Sequence, residues 1–335
     1  MARVNDKQQL VSIVIVNHNG KKWLKDCLDS IAKQTYRNFE VIIVDNLSTD
    51  ESVDFIGKYY PKVKTVVSKT NIGFGRANNL GVETAQGEEI FFLNNDTVLE
   101  KDLLEKLLFC QKQKKLNILG PKILDYSGKE VYQSDKLSID VTGYIGNGRE
   151  SLYVDGCALM ISKKDFIELG GFDESYFMYS EEIDLCWRAR LYGMRVGICD
   201  ESAVRHFGGG TGGDTQYERN VKRVIPLMRR YEVEKNNLRN ILKNYKLINL
   251  FWILPLYIMQ SLCESILYLL TGNVKASKLI CKAYLWNLRN IRDTFYQRRI
   301  VQKKRIVGDM QIISMMSIGL NKFSALKTIG IPKYR

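Results

Sequence analysis

Short β-branched runs alternate with segments of helical periodicity through the first third of the chain. Val11–Val16 and Phe39–Val44 are apolar runs of strand length, and between them Trp23, Leu24, Cys27, Leu28 and Ile31 recur at the spacing of one helix face. This is a β-α-β unit. The pattern continues with a helix over Glu51–Tyr59, a strand at Thr65–Val67, a helix over Arg76–Thr84 and an apolar strand at Glu89–Leu93. Strands alternating with helices predict a mainly parallel, Rossmann-like α/β sheet with helices on both faces, whose ligands bind beyond the carboxyl ends of the strands. Residues 101–115 predict another amphipathic helix, and 116–162 a more irregular stretch with short strands, ending at Gly156–Ile161. Glu181–Tyr192 reads as a helix with Ile183, Cys186, Trp187 and Leu191 on one face, and Val196–Ile198 as a closing strand.

Gly208–Gly213 then places five glycines in six residues, the composition of a flexible joint. A domain boundary is expected near residue 214, separating an α/β domain (1–214) from a helical, basic region (215–335). The charge changes at the same place: 27 basic and 31 acidic side chains precede it, a net of −4, and 23 basic and 6 acidic ones follow, a net of +17. Residues 247–270 are apolar over a length that could cross a bilayer, but Asn249, Pro255, Gln260, Ser261 and Glu264 interrupt them. Both flanks are basic, with Lys243 and Lys246 before and Lys275, Lys278 and Lys282 after. A single crossing favours positive charge on one side only, so an in-plane or re-entrant helix pair on the anionic inner face of a cell membrane is expected. The alternative is an apolar helix packed on the α/β domain or in a homo-oligomer interface.

Composition agrees with a folded chain. Of 335 residues, 45% are hydrophobic and 26% charged, enough for a sizeable core and about two average domains. The seven cysteines, an odd number without a C-x-x-C pair, argue against a disulfide framework or a structural zinc site and favour a reducing compartment. The only apolar run near the N-terminus is too short for a signal peptide, so the front of the chain is expected to be cytoplasmic.

Acidic and amide side chains gather at the expected strand ends: Asp45 after the second strand, Asn94, Asn95 and Asp96 after the fourth, and Glu181, Glu182 and Asp184 further on. A strand-end carboxylate can hold a hard divalent cation, and that cation can neutralise a diphosphate; Asp96 is the best candidate. Acidic residues at a helix start also complement the helix dipole. Three carboxylates within four residues would repel one another, which makes one of them a candidate general base. His206, one of two histidines, precedes the glycine run and could join a metal site. Gly73-Phe-Gly75-Arg-Ala-Asn78 has only two glycines of a dinucleotide fingerprint, which disfavours a Rossmann dehydrogenase.

Six motifs in order carry a resemblance: Val14–Gly20, Val44–Asp50, Asn71–Asn79, Phe92–Thr97, Gly170–Asp173 and Glu181–Arg188. Over roughly residues 10–214 the chain resembles the family 2 glycosyltransferases, and within them the rhamnosyltransferase-like branch that builds surface polysaccharides. The resemblance implies a GT-A fold and an inverting hexosyl transfer from a nucleotide-diphospho-sugar (dTDP- or UDP-linked) to a lipid-linked or polysaccharide acceptor. By the same resemblance Asn17 and Asp45 fall where the nucleoside is held, and Asn71, Gly73 and Asn78 on the segment lining the nucleotide-sugar cleft. Asn94-Asn95-Asp96 stands at the family's D-x-D motif, with Asp96 the retained metal contact for Mg²⁺ or Mn²⁺, Asn95 beside it on the donor side, and His206 completing the metal site. Glu182 takes the position of the catalytic base, with Glu181 and Asp184 as alternates. Trp187 and Arg188 bound the acceptor side, or Trp187 is core.

The basic tail, including Arg289, Arg292, Arg298, Arg299, Lys303, Lys304 and Arg305 with Trp286, Phe295 and Tyr296 nearby, suits an anionic lipid surface. Nothing resembles a nucleic-acid-binding fold, so no nucleic acid is expected. Two other functions are compatible with the residues: a sugar nucleotidyltransferase, disfavoured because Asn17–Lys22 supplies no basic Gly-rich loop, and a non-catalytic membrane-bound GT-A scaffold, permitted by Asn94 and Glu182.

Overall fold

A computed structural model of the chain describes residues 8–129, 131–133, 135–208, 224–330 and 333–334. Its first half follows the expected alternation: β1 (Val11–Asn17), α1 (Lys21–Ala32), β2 (Phe39–Asp45), α2 (Ser52–Tyr59), β3 (Lys64–Val67), α3 (Phe74–Thr84) and β4 (Glu89–Asn94). Next come β5 (Thr97–Leu99), α4 (Leu103–Lys114), β6 (Ile118–Asp125), β7 (Val131–Gln133), β8 (Leu137–Ile139), β9 (Ile145–Asn147) and β10 (Ala158–Ser162). α5 (Lys163–Leu169), α6 (Glu181–Leu191) and β11 (Val196–His206) complete the α/β part. Beyond it lie β12 (Val224–Ile225), α7 (Leu227–Asn244), α8 (Leu247–Leu270), α9 (Val274–Arg289), α10 (Ile291–Lys304), α11 (Asp309–Met315), α12 (Asn321–Ile329) and β13 (Lys333–Tyr334). The glycines 209–213 and the boundary expected near 214 lie outside the described residues.

The main sheet has the strand order β3-β2-β1-β4-β10-β6-β11-β5, with β7 paired to β6. Strands β1 to β4 are mutually parallel; β10 enters antiparallel between β4 and β6, and β11 runs parallel to β6. Burial on both faces explains the unbroken apolar runs seen in the sequence. Alternate side chains serve opposite cores: Ile13, Ile43, Phe91, Leu93 and Met160 face α1 and α4, while Val14, Ile42, Ile90, Phe92 and Ile161 face the other side. α5 starts where the Ser162 hydroxyl accepts the Asp165 N–H at 3.0 Å, an N-cap.

Two expectations need amendment. The closing strand does not end at Ile198; β11 continues to His206, because a register shift against β6 between Cys199 and Ala203 lets the strand bend and resume pairing. Residues 247–270 form one helix that runs through Pro255. The helical region has a small apolar cluster at Tyr268, Ala276 and Ile280, and at its junction with the sheet it shares the sheet's core. Leu238, Ile241, Tyr245, Ile253, Tyr257, Val301 and Ile312 belong to the same apolar cluster as Phe92, Leu159 and Ile161. All seven cysteines are free and five of them are buried.

Candidate active site

The carboxyl ends of β1, β2 and β4 meet in a net of amides. Asn17 Nδ2 donates to Asp45 Oδ1 at 3.0 Å and to Ser48 Oγ at 3.1 Å, while Asn17 Oδ1 accepts from Asn95 Nδ2 at 2.7 Å. Gly20 is held at this spot because a Cβ there would lie 2.0 Å from Asn95 Nδ2. The Asn46 side chain bridges to the next loop, donating to Asn71 Oδ1 at 2.9 Å and accepting from the Ile72 N–H at 2.8 Å. Gly73 has φ +82°, and a Cβ on it would fall 2.5 Å from the Phe177 carbonyl oxygen, so this loop packs directly on the segment leading to α6. Asn17, Asp45, Asn71, Gly73 and Asn95 are therefore brought together. Asn78 is not: it is buried on α3 and donates to the Phe74 carbonyl at 3.1 Å.

At the same carboxyl end of β4, His206 Nε2 lies 3.2 Å from Asp96 Oδ1 and 3.4 Å from Asn94 Nδ2. β11 delivers the histidine, since His206 pairs with Thr97 of β5 and the Phe207 N–H donates to the Asp96 carbonyl at 3.0 Å. Burial disfavours the imidazolium, but the Asp96 hydrogen bond and charge outweigh it and raise the His206 pKa. The carboxylate thus favours a proton on His206, which a metal ion bound there would displace. One carboxylate oxygen and one imidazole nitrogen form a donor set that fits Mg²⁺ or Mn²⁺, with remaining positions for phosphate oxygens.

The third group sits at the start of α6. Glu181 is buried, with Oε2 lacking a hydrogen-bond partner, and burial first of all pushes its carboxyl up to about 8. Glu182 is raised well above the ordinary carboxylate value by burial, then by the charges of Glu181 and Asp155. Its side chain lies against Gly156, where a Cβ would meet Glu182 Cβ at 3.5 Å and the Phe74 ring at 3.7 Å.

Asp155 joins the two halves. The β10–β4 pairing ends at Ala158 opposite Leu93, and the Asn94 N–H then donates to the Cys157 carbonyl at 2.9 Å, so the turn that follows Asp155 lies against the end of β4. The charge of Asp155 acts on His206, Glu181 and Glu182 alike, and the Cys157 thiol feels Asp155, Asp96 and Glu182 together. Sequence reasoning missed Asp155, Asn46, Ser48 and Gly20. The dipeptide Asp155-Gly156 ahead of an apolar strand was the available signal for the first, but its meaning depends on β10 entering beside β4.

α7 fixes this geometry from behind. Tyr179 and Ser180, with φ of +71° and +65°, make a left-handed turn immediately before Glu181. Asn236 Nδ2 donates to the Met178 and Tyr179 carbonyls at 2.9 and 2.6 Å, and the Ser180 hydroxyl donates to Asn237 Oδ1 at 3.1 Å. Asp184 belongs to the scaffold: fully buried, it pairs with Arg188 at 2.8 Å and Lys243 at 2.8 Å, and these cations outweigh its burial and lower its pKa. Its role as an alternate base does not fit this environment. Trp187 is core, its ring 4.9 Å from that of Tyr245, and Arg188 is buried on the carbonyls of Leu169 and Gly171. Of the basic tail, Arg298 and Arg305 are likewise engaged internally, on the carbonyls of Leu242 and Val307.

Residues 12–182 match the family model described as "Glycosyl transferase family 2". The low-salt glycan biosynthesis hexosyltransferase Agl10 of Haloferax volcanii is 27% identical over 203 residues, which are 56% of this chain and 64% of that protein. The poly(ribitol-phosphate) beta-N-acetylglucosaminyltransferase TarS of Staphylococcus aureus is 30% identical over 128 residues, 37% of this chain and 22% of that one. The chain thus spans less than two thirds of these relatives' length. Among solved structures, S. aureus TarS 1-349 in complex with UDP-GlcNAc superposes with TM-score 0.58 at 17% identity, covering 95% of this chain and 91% of that one. GalNAc-T7 with UDP, GalNAc and Mn²⁺ also gives 0.58 at 17% identity, over 71% and 48% of the two chains. These likenesses show the shared GT-A fold, and with half of its length matched by the family model, the chain belongs to glycosyl transferase family 2.

Proposed function

We propose that the protein is an inverting hexosyltransferase of surface-glycan synthesis, moving a sugar from a nucleotide-diphospho-sugar to a lipid-linked or polysaccharide acceptor. The observation that carries this reading is that one short segment touches two unlike groups: the Cys157 carbonyl accepts the Asn94 N–H at 2.9 Å beside the Asp96–His206 pair, and Gly156 packs against Glu182. One group suits a diphosphate with its cation; the other suits a proton in transit.

In this account Asn17, Asp45 and Asn95 hold the nucleoside end, and Asn71 and Gly73 shape the wall of the cleft. Asp96 and His206 would hold Mg²⁺ or Mn²⁺, which supplies positive charge for the departing diphosphate. The acceptor oxygen attacks the anomeric carbon as the bond from that carbon to the phosphate oxygen breaks, and Glu182 takes the acceptor proton. Glu182 must be ionised beforehand. Its proton is lost more readily when acceptor hydroxyls and solvent replace the apolar surroundings of Gly156 and Phe74. The α/β part over 1–214 would carry the chemistry, and the region over 215–335 would meet the inner face of an anionic membrane, where a lipid-linked acceptor resides.

Support for the donor class comes from the family and from neighbours solved with UDP and UDP-GlcNAc. The test is a thermal-shift screen of dTDP-rhamnose against UDP-sugars, with and without Mn²⁺. Selective stabilisation by one sugar nucleotide is expected. No response to any of them would remove the transferase reading.

A further inference from the structure

α8 has two opposite faces of different chemistry. One is built into the protein: Ile253, Tyr257, Gln260, Ser261, Glu264 and Tyr268 are buried. Three of its polar groups are tied to their neighbours, Ser261 Oγ donating to Glu234 Oε1 at 2.5 Å, Tyr257 to the Glu234 carbonyl at 3.1 Å, and Glu264 pairing with Arg230 and with Lys322, whereas the buried Gln260 amide makes no hydrogen bond among the described residues. The other face is exposed at Leu247, Phe251, Trp252, Met259, Leu262 and Ile266, and runs on to Leu270. Phe251 and Leu270 are each 80% exposed, and no exposed position on the helix bears a charge. Over 24 residues the stripe is roughly 36 Å long, far beyond the scattered apolar exposure of a soluble surface.

Cations stand at both ends of the stripe. Beyond the C-terminal end of α8, a hollow of about 450 Å³ combines Lys275, Lys278 and Lys282 with the ring of Tyr231. At its N-terminal end, a second hollow of about 420 Å³ combines Lys246 and Arg299 with Phe295. Apolar floors under cationic rims match the glycerol and phosphate level of a lipid leaflet. A second copy of the chain would bring these like charges together, which disfavours a dimer through this face. Spanning is disfavoured as well. To cross a bilayer, α8 would have to leave α7 and carry Gln260 and the charge of Glu264 into hydrocarbon, away from Arg230 and Lys322.

We propose that α8 lies in the plane of an anionic bilayer, its uncharged stripe immersed and the lysine and arginine hollows at its two ends seated on lipid phosphates. This deepens the membrane contact proposed above. It is independent of the transfer chemistry, because vesicle binding is read without turnover.

The full chain is to be floated with phosphatidylcholine vesicles, with and without about 30% phosphatidylglycerol. Flotation on the anionic vesicles that falls with added salt is expected; failure to float on either overturns the proposal. The double variant Phe251→Glu/Leu262→Glu should lower the bound fraction about tenfold or more without changing the melting temperature. Unchanged binding would contradict immersion of this face. Lys275→Gln/Lys278→Gln should weaken binding to the anionic vesicles alone, and no change there would remove the seating on lipid phosphates. For orientation, Thr271→Cys in a Cys263→Ser/Cys281→Ser background should react fully with an impermeant maleimide added outside the vesicles. Protection until detergent is added would mean a spanning helix and sink the in-plane arrangement. Flotation lost with sugar-nucleotide binding intact counts against this inference only.

Discussion

His206 Nε2 sits 3.2 Å from Asp96 Oδ1 because β11 runs on past its bend to finish alongside β5. The contact joins the end of the sheet's central strand to the chain just ahead of the glycine run. Asp96→Ala and His206→Ala are each expected to weaken divalent-dependent nucleotide binding by about 10- to 100-fold. Calorimetric titration with UDP, with and without Mn²⁺, checks this; an unchanged metal dependence would contradict it.

The carboxyls at the head of α6 give a pH prediction with a definite sign. Burial is the largest cause for both: Glu181 is pushed up to about 8, with the charges of Glu232 and Asp155 adding to it, and Glu182 is raised well above an ordinary carboxyl, with the charges of Glu181 and Asp155 adding to it. A base works only when ionised, so transfer should rise with pH along a limb displaced upward from the carboxylate range. Glu181→Gln removes one repelling charge and should move that limb to lower pH. A profile of kcat/KM against pH reads both effects, and a wild-type limb at the ordinary 4.5 would contradict them.

Stability follows from the same shift. A buried carboxyl with a raised folded-state pKa binds its proton more tightly folded than unfolded. Its contribution is full below the unfolded value of 4.5 and is lost as the pH climbs toward about 8. Glu181→Gln should therefore gain melting temperature relative to wild type as pH rises through that window, and a constant difference would refute the linkage.

Lys243 closes a buried ion-pair network, 2.6 Å from Asp173 Oδ2 and 2.8 Å from Asp184 Oδ1. Both carboxyls are lowered by their cations against the effect of burial, so the stability they contribute is present above 3.8 and is lost as pH falls. Lys243→Met leaves Asp173 with Arg239 and Asp184 with Arg188 and removes their shared third cation, which should cost about 1.5–3 kcal/mol in denaturant unfolding at neutral pH. A loss below about 1 kcal/mol would contradict the network's role.

Gly73 lets the donor loop touch the segment before α6. Gly73→Ala must strain a φ of +82° and push away the Phe177 carbonyl, at about 1–3 kcal/mol, and should weaken donor affinity along with stability. Unaltered melting and binding would show that the two segments move independently.

How far the sequence could be read depended on the distance over which each feature is encoded. The β-α-β start and the α6 helix rest on local periodicity and were legible to within a few residues. In the stretch 116–162 the short strands and the final apolar run were legible, but their order was not, because β6 and β10 owe their place to pairing across long separations, and only that pairing brings the segment before β10 beside the end of β4. α7 was misleading for another reason. Arg230, Glu234, Asn236, Asn237, Arg239, Asn240 and Lys243 resemble a solvated helix surface, yet all are buried: Arg230 and Glu234 serve the network with α8, and the others the turn at Tyr179–Ser180 and the carboxylates Asp173 and Asp184. Asp96 and Glu182 were singled out from two of the motifs and His206 outside them, and Asp96 and His206 do meet, while Asn78 and Asp184, from motifs as well, turn inward.

The most direct measurement compares wild type and Glu182→Gln in two assays: donor affinity by titration, and single-turnover transfer to acceptor. If Glu182 takes the acceptor proton, transfer falls by about 100-fold or more while the donor dissociation constant stays within about threefold. Transfer at the wild-type rate in the variant would contradict the assignment of this carboxylate as the base.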